Sequence, residues 1–268
     1  MKIIDCFIFY NELNMLLYRL DILNEFVDFF ILVEAKYTHS GKEKTLYYND
    51  NKHLFEKYNN KIIHIVLDDF PYKYPAIDYS KNQQWDNEHF QRNAIKYGID
   101  KLEINKTDIL IISDLDEIPD TELLKKIKNG LLLINNIYSL EQDFYYYNLN
   151  TKMGKTWILS KIMNFDTYLN LNISCQDLRH LNCSSIQKGG WHLSYFGDKY
   201  FIQNKIIHFG HQEFNNNTFT DLDKIEYKIN NQIDLYSRNN EIIIKIPIKD
   251  NTYLPPDYNN RLTEFILY

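Results

Sequence analysis

Two carboxylates one residue apart, Asp114 and Asp116, follow an unbroken apolar run, Ile109 to Ile112, in the stretch DILIISDLDEIPD. A four-residue apolar run bounded by polar residues reads as a short strand buried on both faces, as in a parallel sheet. Open α/β sheets bind ligands beyond the carboxyl ends of their strands, which is where this pair falls. Carboxylates so close repel unless a cation or a shared proton intervenes. A hard divalent ion with oxygen ligands meets that need, and such ions bridge protein carboxylates to phosphates. Glu117 adds further negative charge. The competing reading is an acidic, solvated turn, since Asp is common in turns. The buried strand directly before the pair favours metal or phosphate chemistry over that reading.

Other residues take meaning from the same edge. Glu34 closes the apolar run FFILVEA, a second buried strand, and so falls on the ligand-bearing edge. Arg92 and Asn93 lie on the amphipathic stretch WDNEHFQRNAIKYGI. A lone Arg on a helix is usually solvated; the functional alternative is an Arg reaching back to a carboxylate or phosphate. Gly189 and Gly190 form the only Gly-Gly pair, beside Trp191 and His192, where missing side chains allow backbone to approach a ligand. His39, in the polar loop KYTHSGKEK, fits a surface histidine better than a ligand, and His64, inside a strand, fits a structural one.

The elements that must position these residues alternate. Residues 2–10, 29–35 and 61–67 read as strands, and MLLYRLDILNEF and TELLKKIKNG as helices, the second closed by Gly130. Residues 68–84 form a long loop with Pro71 and Pro75, a length that usually signals function or mobility. Past Gly130 the pattern is less regular: NIYSLEQDFYYYNLN reads as strands, IIHFGHQEF as a strand running into a loop, and TDLDKIEYKINNQIDLY as a helix. A Pro- and Asn-rich tail follows. The expected class is α/β, a mainly parallel central sheet flanked by helices with a more irregular second half.

At 268 residues the chain allows one large α/β domain or two small ones. A formal charge of −6 argues against a nucleic-acid partner, whose phosphates attract Lys and Arg. Cys6, Cys175 and Cys183 have no metal spacing, and their odd number argues against a disulfide framework and for a reducing compartment. The N-terminus is too quickly polar for a signal peptide, and no run approaches the ~20 apolar residues of a membrane span. The expected location is cytoplasmic.

The order NEL…RL, VEAKYTHSGKEK, WDNEHFQRNAI, ISDLDEIPD, GGWHLSYFG, HQEF resembles glycosyltransferase family 17, over about residues 3–235. That resemblance implies a single GT-A-like nucleotide-diphospho-sugar transferase domain over residues 1–268. Residues 1–117 would form its nucleotide-sugar half and residues 118–268 its acceptor side. It implies a UDP-sugar donor, first UDP-N-acetylglucosamine, with Mn²⁺ or Mg²⁺, a carbohydrate or glycoconjugate acceptor, and inversion at the anomeric carbon. By the same likeness Asp114, Asp116 and His211 would hold the metal, with His208 the alternative histidine. Glu34 and Arg92 would meet the uridine end. The base would be a carboxylate between the metal motif and the C-terminal histidine, or just past it. Asp198, closing GGWHLSYFGD, is the first choice and Glu213 the second; Glu141 and Asp177 also fall in that window, Asp177 reading as a surface ion-pair partner of Arg179. Two rivals stand beside this reading. One is a haloacid-dehalogenase-like phosphohydrolase, against which Ile118 and the roughly 100 residues before the motif argue. The other is a non-catalytic sugar- or nucleotide-binding module.

Overall fold

The computed structural model describes residues 1–267. Strand β1 (Ile3–Phe9), helix α1 (Leu13–Leu23), β2 (Phe29–Ala35), α2 (Tyr47–Asp50) and β3 (Ile62–Leu67) come first. Helices α3 (Gln83–Asn93) and α4 (Ile95–Ile99) precede β4 (Ile109–Asp114), β5 (Glu117–Pro119) and α5 (Thr121–Lys128). Then come β6 (Tyr138–Tyr146), β7 (Asn148–Met153), β8 (Lys161–Asn164), α6 (Phe165–Leu171), α7 (Cys175–His180) and β9 (Ser185–Ser194). Helices α8 (Lys199–His208), α9 (Asn217–Thr220) and α10 (Leu222–Asn231) lead to a short β10 (Ile243–Lys245).

One ten-stranded sheet runs through both halves in the order β10-β7-β6-β8-β4-β1-β2-β3, with β9 attached to β6 and β5 to β9. The four strands from the first half pair parallel, as their continuous apolar runs require. Alternate residues of β1 and β4 serve opposite faces. Ile3, Phe7, Ile109 and Ile111 pack under α1, while Ile4, Cys6, Leu110 and Ile112 pack under α4 and α7. The second half extends the sheet through antiparallel β8, β6, β7 and β10. An aromatic cluster around Phe144, Tyr146, Tyr195 and Tyr236 forms a third, separate core.

Two elements differ from the sequence expectation. The α3–α4 stretch breaks at Ala94. Residues 199–208 are helical, where the apolar run IIHF suggests a strand. Asp198 accepts the Phe201 N–H and starts this helix, and Ile202 and Ile206, one turn apart, bury its inner face.

Candidate active site

Asp114 is the last residue of β4, and a two-residue turn joins it to β5. The back of that turn is held by Arg19 of α1, which is fully buried. Its Nε and Nη2 donate to the two oxygens of Asp5 at 2.8 and 2.6 Å. Its Nη1 donates to the carbonyls of Asp114, Leu115 and Glu117 at 2.8–2.9 Å, and Nη2 also reaches Ser113 Oγ at 2.7 Å. A planar guanidinium presents five N–H donors in a fixed fork, so one side chain sets the whole turn. This explains a carboxylate inside apolar β1. Beyond the turn, Asp120 accepts from the Glu122 and Leu123 N–H groups and fixes the start of α5.

The front of the turn is a charge network. Asp114 accepts from Arg92 Nη2 at 2.9 Å and from Arg179 Nη2 at 2.7 Å. Arg179 also binds Glu117 at 2.5 and 2.8 Å, and Glu117 takes Trp157 Nε1 and Ser160 Oγ, both at 2.6 Å. Asp116 meets Lys205 Nζ at 3.1 Å and His192 Nε2 at 3.6 Å. Burial pushes the Asp116 carboxyl up, but Lys205 and His192 outweigh it and hold it far below the usual carboxylate range. Burial and Arg179 act on Glu117 in the same opposed way, with the same net result.

Glu88, paired with Arg92 at 3.0 Å, offers a measurable consequence. Burial works against its charge, yet Arg92 and His39 bring its pKa down to about 2. A carboxyl depressed on folding adds stability that is fully present above its unfolded value, about 4.3, and is lost as pH falls through the folded value. The unfolding free energy is therefore expected to drop more steeply between about pH 5 and about pH 2 in the native chain than in Glu88→Gln. Urea midpoints across that range measure it; parallel profiles would remove Glu88 from the acid response.

The structure brings together some of the sequence-predicted residues and not others. Arg92 does reach back to a carboxylate at the sheet edge. Glu34 does not face a ligand: it is fully buried, accepts from the Tyr48 and Asn49 N–H groups at 2.8 and 3.2 Å, and lies 3.0 Å from His64 Nε2. It anchors α2, and His64 is structural, as expected. Gly189 and Gly190 make room for neighbouring strands, not for a ligand. A Cβ on Gly189 would press on the backbone of Leu140 and Glu141, and one on Gly190 would run into the Ile118 carbonyl. Asp198 is an exposed cap on α8, turned onto its own helix and away from the cavity lining. Glu213 lines the cavity and lies 2.7 Å from His211 Nδ1. Asp177 makes no pair with Arg179; it bonds Ser174 at the start of α7, while Arg179 turns inward. The sequence reading gave no site role to Arg19, Arg179, Lys205 or His192. Arg19 alone carried a signal, a charged residue among the leucines of an apolar helix.

The predicted metal ligands do not gather. Among the described residues no three His, Cys, Asp or Glu side chains form a cation site. Each oxygen of Asp114 already takes a guanidinium, and half-exposed His211 pairs with Glu213 at the cavity rim. Asp116 accepts at Oδ2 from Lys205 Nζ at 3.1 Å. Its Oδ1 faces only His192 Nε2, and an oxygen and an imidazole nitrogen 3.6 Å apart can share one ion at ~2.1 Å from each. His208, the alternative histidine, lines the cavity, and burial brings its pKa down to about 4, which keeps it neutral.

Arg92, Asp114, Asp116, Arg179, His192 and Lys205 line a cavity of about 740 Å³ at the carboxyl edge of β1 and β4. Its volume suits a ligand of drug or cofactor size. Its lining includes charged side chains (Glu88, Arg92, Asp114, Arg179) and aromatic ones (Phe144, Tyr146, Trp157, Tyr195).

Residues 1–242 match the family model described as Glycosyltransferase family 17. The rat beta-1,4-mannosyl-glycoprotein 4-beta-N-acetylglucosaminyltransferase (Rattus norvegicus) is 27% identical over 160 residues, covering 58% of this chain and 27% of that protein. The human enzyme of the same name (Homo sapiens) is 27% identical over 151 residues, covering 55% and 26%. The chain thus spans about a quarter of the length of the curated relatives it matches. Among solved structures, 4-diphosphocytidyl-2C-methyl-D-erythritol synthase from Anaerococcus prevotii has a TM-score of 0.40 at 13% identity, covering 75% of this chain and 95% of that one.

Proposed function

The chain belongs to glycosyltransferase family 17, and from that premise we propose that it moves a sugar, N-acetylglucosamine first, from a UDP-sugar to a glycan hydroxyl with inversion. The observation that carries the reading is Asp116, held ionised at a cavity flanked by Arg92, Arg179 and Lys205. Residues 1–117 supply the donor side, joined there by Arg179, His192 and Lys205 from the second half, and the rest of residues 118–268 the acceptor side. The names of the rat and human relatives support N-acetylglucosamine as the sugar.

Transfer from a nucleotide sugar places growing negative charge on the leaving diphosphate and positive character on the sugar ring. Fixed cations at that spot stabilise the charge without reorganising. Lys205 and the two arginines are such cations, each held in place by a carboxylate before the donor arrives. Asp114 orients both arginines. Asp116 and His192 would hold Mn²⁺ or Mg²⁺, which would add Lewis acidity at the diphosphate. The acceptor is a carbohydrate or glycoconjugate; among the described residues no helix is long and apolar enough to cross a membrane.

Thermal melting with UDP tests the donor and metal together. A ligand that binds only the folded state stabilises it by about 2.7 kcal/mol at 100 times its Kd. The shift from UDP is expected to be larger with Mn²⁺ than with EDTA, and Asp116→Ala is expected to abolish the difference. A metal increment that survives in Asp116→Ala overturns the ion's placement. Phosphate release from phosphomonoesters, with no UDP release from UDP-sugars, would favour a phosphohydrolase instead.

A further inference from the structure

We propose that Lys44 is the cation this cavity holds in reserve for its ligand's phosphates, and that it binds the donor's diphosphate. That the phosphates belong to a nucleotide sugar rests on the transferase reading above; that the residue receives an anion does not. Six Lys and Arg side chains line the cavity. Arg92, Lys155, Arg179, Lys205 and Arg238 each already hold a carboxylate. Lys44, the sixth, forms no ion pair among the described residues, and its Nζ donates only to the Thr45 carbonyl, at 3.1 Å. A charge withdrawn from water without a partner is costly, so an anionic ligand has most to gain at this side chain.

The chain puts Lys44 there by doubling back on the end of β2. The Lys44 N–H donates to the Lys36 carbonyl at 2.8 Å, Tyr37 bridges to Glu43, and the Thr38 N–H reaches the Lys42 carbonyl at 2.8 Å. Nζ then lies 5.5 Å from the centre of the Tyr10 ring and 5.4 Å from that of Tyr47. Rings attract a cation and aim it, yet they supply no counter-charge. The carboxylates around it are engaged or exposed. Glu34 accepts from the Tyr48 and Asn49 N–H groups, Glu12 from the Asn11 N–H while pairing with Lys205 at 3.6 Å, and exposed Asp50 from the Asn49 side chain. Burial outweighs the distant pull of Glu34, Glu12 and Asp50 and brings the Lys44 pKa down to about 8. An anion on Nζ reverses this, since a nearby opposite charge favours the ionised form. Phosphate binding near pH 8 must therefore draw a proton onto Lys44. Glu12 links the residue to the reaction centre: its charge acts on Lys44, and it pairs with Lys205, which reaches Asp116.

Calorimetry on the full chain at pH 8, without added metal and in two buffers of different ionisation enthalpy, tests this with UDP and with inorganic pyrophosphate. The phosphates of UDP are already ionised there, a phosphate's second pKa being about 6. UDP binding is expected to take up about half a proton, because roughly half of the Lys44 side chains are neutral at that pH. Lys44→Met should weaken UDP by about 10–100-fold, the worth of a hydrogen bond to a charged group, and abolish the uptake. Lys44→Arg should keep UDP affinity within about threefold of native and also show no uptake, because a guanidinium stays charged. No uptake in the native chain, native UDP affinity in Lys44→Met, uptake that persists in Lys44→Arg, or failure of both anions to bind would overturn the proposal. Pyrophosphate that binds with proton uptake and is lost in Lys44→Met, with UDP bound no more tightly and no UDP released from UDP-sugars, would leave the anion site standing and sink the transferase reading.

Discussion

Replacing Arg19 with methionine is expected to cost about 3–5 kcal/mol of stability, the range for breaking a buried ion pair from one side. Asp5 would be left charged and fully buried, and the Asp114, Leu115 and Glu117 carbonyls would lose their shared donor. Urea denaturation measures the loss. A midpoint within a few tenths of a molar of the native one, at unchanged slope, would show that the pair is not holding the fold. The informative companion is Asp5→Leu/Arg19→Met. Swapping a whole buried pair for apolar side chains is often neutral or better, so most of the stability should return. The turn, however, still lacks its clamp. UDP binding is expected to remain at least about tenfold weaker than native, the effect of a misplaced site rather than a loose fold. Recovery of both stability and UDP affinity would make Arg19 a core residue with no part in positioning Asp114 and Asp116.

That clamp also marks where sequence reasoning stops. The strand that delivers Asp114 was legible because four consecutive apolar residues can only be buried, and a buried strand in an α/β sheet points its carboxyl end at the ligand. Arg92 was legible because its helical stretch, which breaks at Ala94 into α3 and α4, comes just before that strand in the chain. Arg179 was not. Its partners, Asp114 and Glu117, lie more than 60 residues away along the chain, and its local setting, beside Asp177, matches a surface pair equally well. Lys205 was hidden by the misread element. With residues 206–214 read as a strand and loop, Lys205 fell outside any assigned element; in the helix over residues 199–208 it lies beside buried Ile206 and meets Asp116. Gly189 and Gly190 carried a true signal, close approach of backbone, attached to the wrong neighbour. Strand β9 presses on β5 and β6 there, and a glycine pair looks the same in sequence whether a ligand or a strand is opposite. Glu34 failed for a related reason. The carboxyl end of a strand is where ligands bind, and it is also where the next helix must be capped.

Loss of the acceptor-side base should have the largest effect on catalysis. Displacement with inversion needs a group to take the acceptor hydroxyl's proton as the new bond forms. With Asp198 turned onto the N-terminus of α8, Glu213 is the remaining one of the two favoured carboxylates, and it lines the cavity. The one hydrogen-bond or ion-pair partner of its side chain among the described residues is His211, outside the network around Asp114 and Asp116. His211 Nδ1 lies 2.7 Å from its Oε1, and the imidazole packs edge-on against Trp85. That contact fixes the ring, and through it the carboxylate, although both side chains are about half exposed. Glu213→Gln keeps the size and removes the proton acceptor. Transfer is expected to fall by about 10²–10⁴, the usual worth of a general base, with UDP affinity unchanged. His211→Ala should lower transfer less, since it removes the orienting contact and leaves the carboxylate. Asp198→Asn serves as the control, because asparagine caps a helix about as well as aspartate; its transfer rate should stay near native. If Asp198→Asn is the variant that collapses and Glu213→Gln retains more than about a tenth of the native rate, the base lies on α8 after all, and the helix must unwind at its first turn to present it.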